Sequence, residues 1–167
     1  LGTGIVNTAI KADMVSEEAR EAALKSMKTL NRYARDVLKR HTVHACTDVT
    51  GFGLGGHGTE MADGSKKTLV IDAKALPILP DVEEYASMGL IPGGAYRNRE
   101  FAAKSGYSTA ELWREDLVFD PQTSGGLLAA VPADEAEEIL LELSESALSC
   151  AMIGEVTDRE NHALEIR

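Results

Sequence analysis

A cluster of glycines follows a short apolar segment that ends in an acidic residue: Thr47-Asp48-Val49-Thr50-Gly51-Phe52-Gly53-Leu54-Gly55-Gly56-His57, with Gly58 just beyond. Glycine removes the Cβ that keeps a ligand away from backbone N–H groups. A helix starting just after such a loop directs the positive end of its dipole at an anion. A carboxylate in the same place repels a phosphate unless a cation lies between them. The stretch therefore has the composition of half a metal–phosphate site. Asp48 is its candidate ligand for Mg2+, an ion that takes one or two carboxylates together with phosphate oxygens. The competing role for Asp48 is that of a helix cap or turn residue. The run from Gly51 to Gly56 is a weak dinucleotide fingerprint, because no acidic ribose partner in a βαβ unit accompanies it. No Gly-Lys-Ser/Thr follows, which excludes a P-loop.

The flanking patterns set the fold class. Ala23, Met27, Leu30, Ala34 and Val37 recur at helical spacing, predicting a helix from Ser16 to about Lys39 with a break near Asn31. Ser16 suits its N-cap, and Glu17 and Glu18 its positive end. His41–Asp48 reads as a strand, 54–62 as a helix, and the apolar 68–72 as a strand buried on both faces. A short helix is expected over 81–88 and a Gly/Pro loop over 89–98. Residues 115–119 are weakly strand-like, and Asp120-Pro121-Gln122-Thr123-Ser124-Gly125-Gly126 is a second polar turn, leading into a strand over 126–131. A helix over 133–147 carries Ala136, Ile139, Leu140, Leu143 and Ala147 on one face. Strands over 149–156 and 163–166 close the chain as a hairpin. Helices and strands mix without strict βαβ alternation, so the expected class is α/β (α+β), a mixed sheet with flanking helices rather than a Rossmann fold.

At 167 residues the chain fits one domain and can bury about 70% of its unfolded surface, enough for a core without staples. Its net charge of −10 and lack of a basic run disfavour nucleic-acid binding, which needs clustered cations. Only 5% of residues are aromatic, too few for a base-stacking surface. No apolar run reaches the length of a membrane span. The start, Leu1-Gly2-Thr3-Gly4-Ile5, lacks the pattern of a signal peptide and has no initiator Met, which suggests a fragment or a processed chain. Cys46 and Cys150 are too far apart for a CxxC site; both read as small buried core residues in a reducing, cytoplasmic setting.

The remaining polar residues carry two readings each. His57, on the helix after the loop, reads foremost as structural, and no zinc spacing or Ser-His-Asp arrangement can be drawn from the sequence. His44 reads as a core or face residue, His41 and His162 as exposed. Arg97 and Asn98 either reach a polar ligand or tie their own loop. Thr123 and Ser124 either present donors to an anion or simply turn the chain into a strand.

Three segments together resemble the selenophosphate synthetase (selenide, water dikinase) family: Thr47–His57, Ile91-Pro92-Gly93-Gly94-Ala95-Tyr96-Arg97-Asn98, and Phe119-Asp120-Pro121-Gln122-Thr123-Ser124-Gly125-Gly126-Leu127-Leu128. The opening 1–5 also resembles the segment that follows that family's N-terminal domain. The resemblance implies a single C-terminal domain over 1–167, with 1–15 as lead-in from a missing N-terminal domain. It implies the mixed-sheet fold shared with aminoimidazole ribonucleotide synthetase, hydrogenase maturation factor E and thiamine-monophosphate kinase. The family makes selenophosphate, AMP and phosphate from ATP, selenide and water. Carried over, Asp48 helps bind the Mg2+ that bridges the ATP phosphates, and Gly51, Phe52 and Gly53 line the nucleotide cleft between domains. The catalytic Cys or selenocysteine, its Lys and the other metal-binding aspartates belong to the N-terminal domain, and Cys46 and Cys150 do not replace them. The resemblance further implies a homodimer, and residues 1–167 alone are expected to bind ATP poorly and to lack synthetase activity. Two alternatives remain: a related ATP-dependent enzyme, such as a thiamine-phosphate kinase or purine-pathway synthetase, or a non-enzymatic anion- or partner-binding module.

Overall fold

In the computed structural model, residues 1–146, 149–159 and 161–167 are described. In chain order the elements are α1 (Thr3–Lys11), α2 (Glu17–Lys28), α3 (Arg32–Leu38), β1 (Ala45–Asp48), α4 (Gly53–Ser65), β2 (Lys67–Ile71), α5 (Val82–Ser87), α6 (Gly93–Ala102), β3 (Gly106–Ser108), α7 (Leu112–Val118), β4 (Leu127–Ala130), α8 (Ala136–Ser146), β5 (Gly154–Asp158) and β6 (Leu164–Ile166). Four strands form a mixed sheet in the order β3-β6-β2-β5. β6 runs parallel to both β3 and β2, and β5 is antiparallel to β2. β1 and β4 form a separate antiparallel pair, with Asp48 opposite Leu127.

The apolar run in β2 explains its central place: Leu69, Val70 and Ile71 are all buried, as a strand covered on both faces requires. Their neighbours Leu164 and Ile166 on β6 extend the same core, which α1 closes with Ile5, Val6 and Ala9 and α7 with Leu117 and Val118. α4 lies between the two sheets, and Gly55 lets it close on α7: a Cβ there would meet the Phe119 ring and Val118. The mixed sheet with flanking helices matches the class expected from the sequence.

Several elements differ from the sequence expectation for identifiable reasons. The helix expected over 16–39 is interrupted where the break near Asn31 was expected, giving α2 and α3. Ser16 Oγ does cap α2, accepting from Ala19 N at 3.1 Å. The chain then turns at Thr29–Asn31, and Asn31 Nδ2 donates to Gly125 O at 2.8 Å. Tertiary anchoring of Asn31 competes successfully with helical propagation there, and Leu30 points to solvent. The loop expected over 89–98 holds α6, because Ala95, Asn98 and Ala102 bury one helical face while the glycines fall in its first turn. Residues 115–119 are mostly helix α7, with Asp116, Leu117 and Val118 buried. The lead-in 1–15 contains α1, and the weak β3 carried no legible signal. The expected 149–156 strand begins only at Gly154, and β5 and β6 flank β2 instead of forming a hairpin. The strand expected over 41–48 is only Ala45–Asp48, alternately half-buried and exposed. Ala147, assigned to the apolar stripe of the 133–147 helix, and Glu160, in the expected hairpin turn, lie outside the described residues.

Candidate functional site

The three sequence motifs converge on one loop. β1 ends at Asp48, and the antiparallel pairing with β4 continues one residue on, where Val49 N donates to Gly126 O at 2.9 Å. Gly125 lies against Val49 O so closely that no Cβ could fit there. Thr50 O accepts from Gln122 N and from Gly53 N, both at 2.9 Å. Gly53 closes this turn at φ 70°, and a Cβ on it would stand 2.8 Å from the Phe119 backbone carbon. Glycine is required there on both counts. From α6, the buried Asn98 amide donates to Gly51 O at 2.9 Å and to Phe119 O at 3.0 Å. It is thus a strut between the glycine loop and the third motif, and ties neither a ligand nor its own loop, the two roles expected from its sequence context.

The outward side of the loop is open. Asp48 is exposed, and among the described residues its carboxylate engages no hydrogen bond or ion pair. A Cβ at Gly51 would meet nothing within 4 Å. Phe52 is half-exposed, stacked on Phe101 with ring centroids 6.1 Å apart. Gly53 is buried and its N–H is used internally, so it shapes the loop rather than facing a ligand. Among the described residues no three His, Cys, Asp or Glu side chains converge to hold a metal ion. One uncommitted carboxylate beside an open glycine fits Mg2+ as a single donor of a site completed by phosphate oxygens, water and other groups.

The same loop and the start of α4 hold an arrangement that the sequence reading did not draw. Thr50 Oγ1 and His57 Nε2 are 3.1 Å apart, and His57 Nδ1 is 3.2 Å from Glu60 Oε2. Phe52 tilts over the imidazole, with centroids 5.4 Å apart. A legible trace existed in the spacing: His57 and Glu60 stand one helical turn apart and so share a face of α4.

The third motif also caps α1. The N-cap of that helix is Gly2, which has no side chain to offer. Gln122 Oε1 takes the place of one, accepting from Gly2 N at 3.2 Å, Thr3 N at 3.4 Å and Thr3 Oγ1 at 3.3 Å. Asp120 Oδ2 accepts from Gly4 N at 3.0 Å and from Gln122 Nε2 at 2.8 Å. Asp120 is 0% exposed, and its Oδ1 has no partner among the described residues. Burial pushes this carboxyl up to about 7, against the opposing pull of the Gly4, Gln122 and Ile5 donors.

Other candidates separate from the site. Thr123 N donates to Thr3 Oγ1 at 3.1 Å, tying the turn to α1, and Ser124 holds a left-handed turn at φ 50°; both residues are exposed. Arg97 lies exposed against the first turn of α6. Cys46 is exposed, not buried as the apolar sequence around it suggested, because the short β1–β4 pair leaves one face open. Partial burial of its sulfur, and then the Asp48 carboxylate, push the thiol up and keep it protonated, which makes it a poor nucleophile. Cys150 is half-buried. His41, expected to be exposed, is packed at the start of the α3–β1 link with Nε2 3.1 Å from Glu142 Oε1 of α8. His44 is exposed, and His162 stacks on Tyr107. No described helix is long and apolar enough to cross a membrane.

Comparison with known proteins identifies the family and the fold. The chain is 41% identical over 169 residues to the selenide, water dikinase of Clostridium botulinum (strain Alaska E43 / Type E3), covering 100% of this chain and 49% of that protein. It is 48% identical over 162 residues to the selenide, water dikinase of Pelobacter propionicus, covering 95% of this chain and 46% of that protein. The chain thus spans about half the length of the curated relatives it matches, and it corresponds to their C-terminal half. Among solved structures, the hydrogenase maturation protein HypE of E. coli superposes with a TM-score of 0.63 at 18% identity, covering 99% of this chain and 42% of that one. Thiamine-monophosphate kinase from Stenotrophomonas maltophilia superposes at 0.55 and 18% identity, covering 99% of this chain and 47% of that one. At such identities these two speak for the fold alone. The model of the AIR synthase related protein, C-terminal domain, matches residues 1–167 in full, and the chain belongs to that family.

Proposed function

We propose that residues 1–167 are the C-terminal domain of a selenide, water dikinase, the enzyme that makes selenophosphate from selenide, ATP and water and releases AMP and phosphate. The observation that carries this is identity of 41–48% to selenide, water dikinases across 95–100% of the chain. The site geometry supports a matching division of labour. Asp48 contributes one carboxylate to a Mg2+ ion that neutralises the ATP phosphates, and Gly51 and Phe52 form one wall of the nucleotide cleft. A bound cation there would supply charge neutralisation on the transferring phosphoryl group. The chain's own part is to hold the loop still: Asn98, Gln122 and Gly125 fix it from behind, so that Asp48 faces the ligand without rearrangement. The remaining metal ligands and the reactive Cys or selenocysteine come from outside residues 1–167. On the same family grounds the intact protein is a cytoplasmic homodimer.

The test is product analysis with the intact gene product. Purified protein given Mg2+ and ATP should form AMP and phosphate only when selenide is present. AMP formation indifferent to selenide, or phosphorylation of another acceptor at comparable kcat/KM, would refute the assignment.

A further inference from the structure

Thr50, His57 and Glu60 are engaged in series. An ionised carboxylate can only accept, so the 3.2 Å pairing with Glu60 Oε2 favours a proton on His57 Nδ1. In the neutral imidazole of that tautomer Nε2 is an acceptor, and Thr50 Oγ1, 3.1 Å away, is placed to donate to it. Two lone pairs of Oγ1 remain on the hydroxyl. A histidine that merely fills space needs a partner on one nitrogen. Here both are used, one by a half-exposed carboxylate and one by a hydroxyl two residues from Asp48. The imidazole itself is only 14% exposed, and Phe52 tilts over it. Hydroxyl, imidazole and carboxylate in this order form the arrangement by which a base withdraws a proton and a third group steadies the resulting imidazolium.

We propose that Thr50, His57 and Glu60 form a proton relay that activates the water acceptor, with His57 as the base. The inference rests on the dikinase assignment. Converting ATP to AMP breaks two phosphoanhydride bonds; selenide takes one phosphoryl group and water the other. In the water step one O–H proton of the attacking water passes to Thr50 Oγ1 as the Thr50 proton passes to His57 Nε2. The water oxygen's electron pair forms the new P–O bond. The electron pair of the breaking P–O bond leaves on the nucleotide's phosphate oxygen. Glu60 pairs with the imidazolium until that proton returns to the leaving group or to solvent.

Products of the intact enzyme and its variants are quantified during selenide-dependent turnover. His57→Gln and Thr50→Val should slow AMP formation by about a hundredfold or more, the range of general-base catalysis, with KM for ATP little changed and ADP accumulating in place of AMP. Glu60→Gln, at a half-exposed position that tolerates substitution, should give the same ADP accumulation with a smaller loss, and Thr50→Ser should recover most of what Thr50→Val loses. ¹⁵N NMR of the wild type should find the His57 proton on Nδ1. If wild type makes selenide-dependent AMP while Glu60→Gln and Thr50→Val leave the AMP-to-ADP ratio unchanged, the relay is refuted and the dikinase assignment stands. If wild type makes no such AMP, the assignment itself fails. Should His57→Gln not fold, as circular dichroism would show, Glu60→Gln and Thr50→Val decide the matter alone.

Discussion

Asp120→Asn isolates an electrostatic cost placed in the middle of the capping loop. The wild-type carboxyl has an ordinary value of 3.8 and is pushed up to about 7 by burial in the fold. Between those two pH values the folded chain binds more protons at this position than the unfolded chain does. Stability therefore falls with rising pH across that window. The contribution is favourable below 3.8 and is lost as pH rises through about 7. At roughly 1.4 kcal/mol for each tenfold change, the full difference is about 4 kcal/mol. Asparagine keeps an oxygen for Gly4 N and Gln122 Nε2 but carries no charge. The assay is urea denaturation of wild type and Asp120→Asn from pH 4 to pH 8. The variant's stability relative to wild type should climb by several kcal/mol over that range and then level off. A relative stability flat with pH would refute the claim that the Asp120 carboxylate is strained by its burial.

Asn98→Ala removes both donors that tie Gly51 to Phe119, leaving two carbonyls without partners. It should cost about 2–4 kcal/mol in denaturant unfolding, about 1–3 kcal/mol for the buried Phe119 carbonyl and less for the part-buried Gly51 carbonyl, and it should lower activity beyond what the lost stability explains. Ser16→Ala deletes the α2 cap at Ala19 N and should cost about 1 kcal/mol in the same assay, with activity unchanged.

What the sequence revealed and what it hid follow from where the information resides. Local patterns placed α2 with its Ser16 cap, the buried strand β2, and the glycine loop after β1, because each is written in neighbouring residues. The helix α6 stayed hidden, because Gly93 and Gly94 look like loop until Asn98 is seen buried beneath the glycine loop. The roles of Asp120 and Gln122 depend on α1, more than a hundred residues away, whose Gly2 leaves a cap for others to supply. Cys46 misled because an apolar neighbourhood in sequence does not guarantee a covering layer in space. His57 read as an isolated histidine because its hydroxyl partner lies seven residues back, across a turn whose shape only the folded loop fixes.

The most direct test of the metal–phosphate role of this loop is the Mg2+ dependence of the intact enzyme carrying Asp48→Asn. Asp48 is exposed and, among the described residues, uncommitted to other side chains, so the variant should fold with wild-type circular dichroism and stability. Its selenide-dependent AMP formation should need at least about tenfold more Mg2+ for half-maximal rate, equivalent to about 1.4 kcal/mol of lost cation binding. A Mg2+ titration curve superimposable on that of wild type would contradict the assignment of Asp48 as a metal ligand.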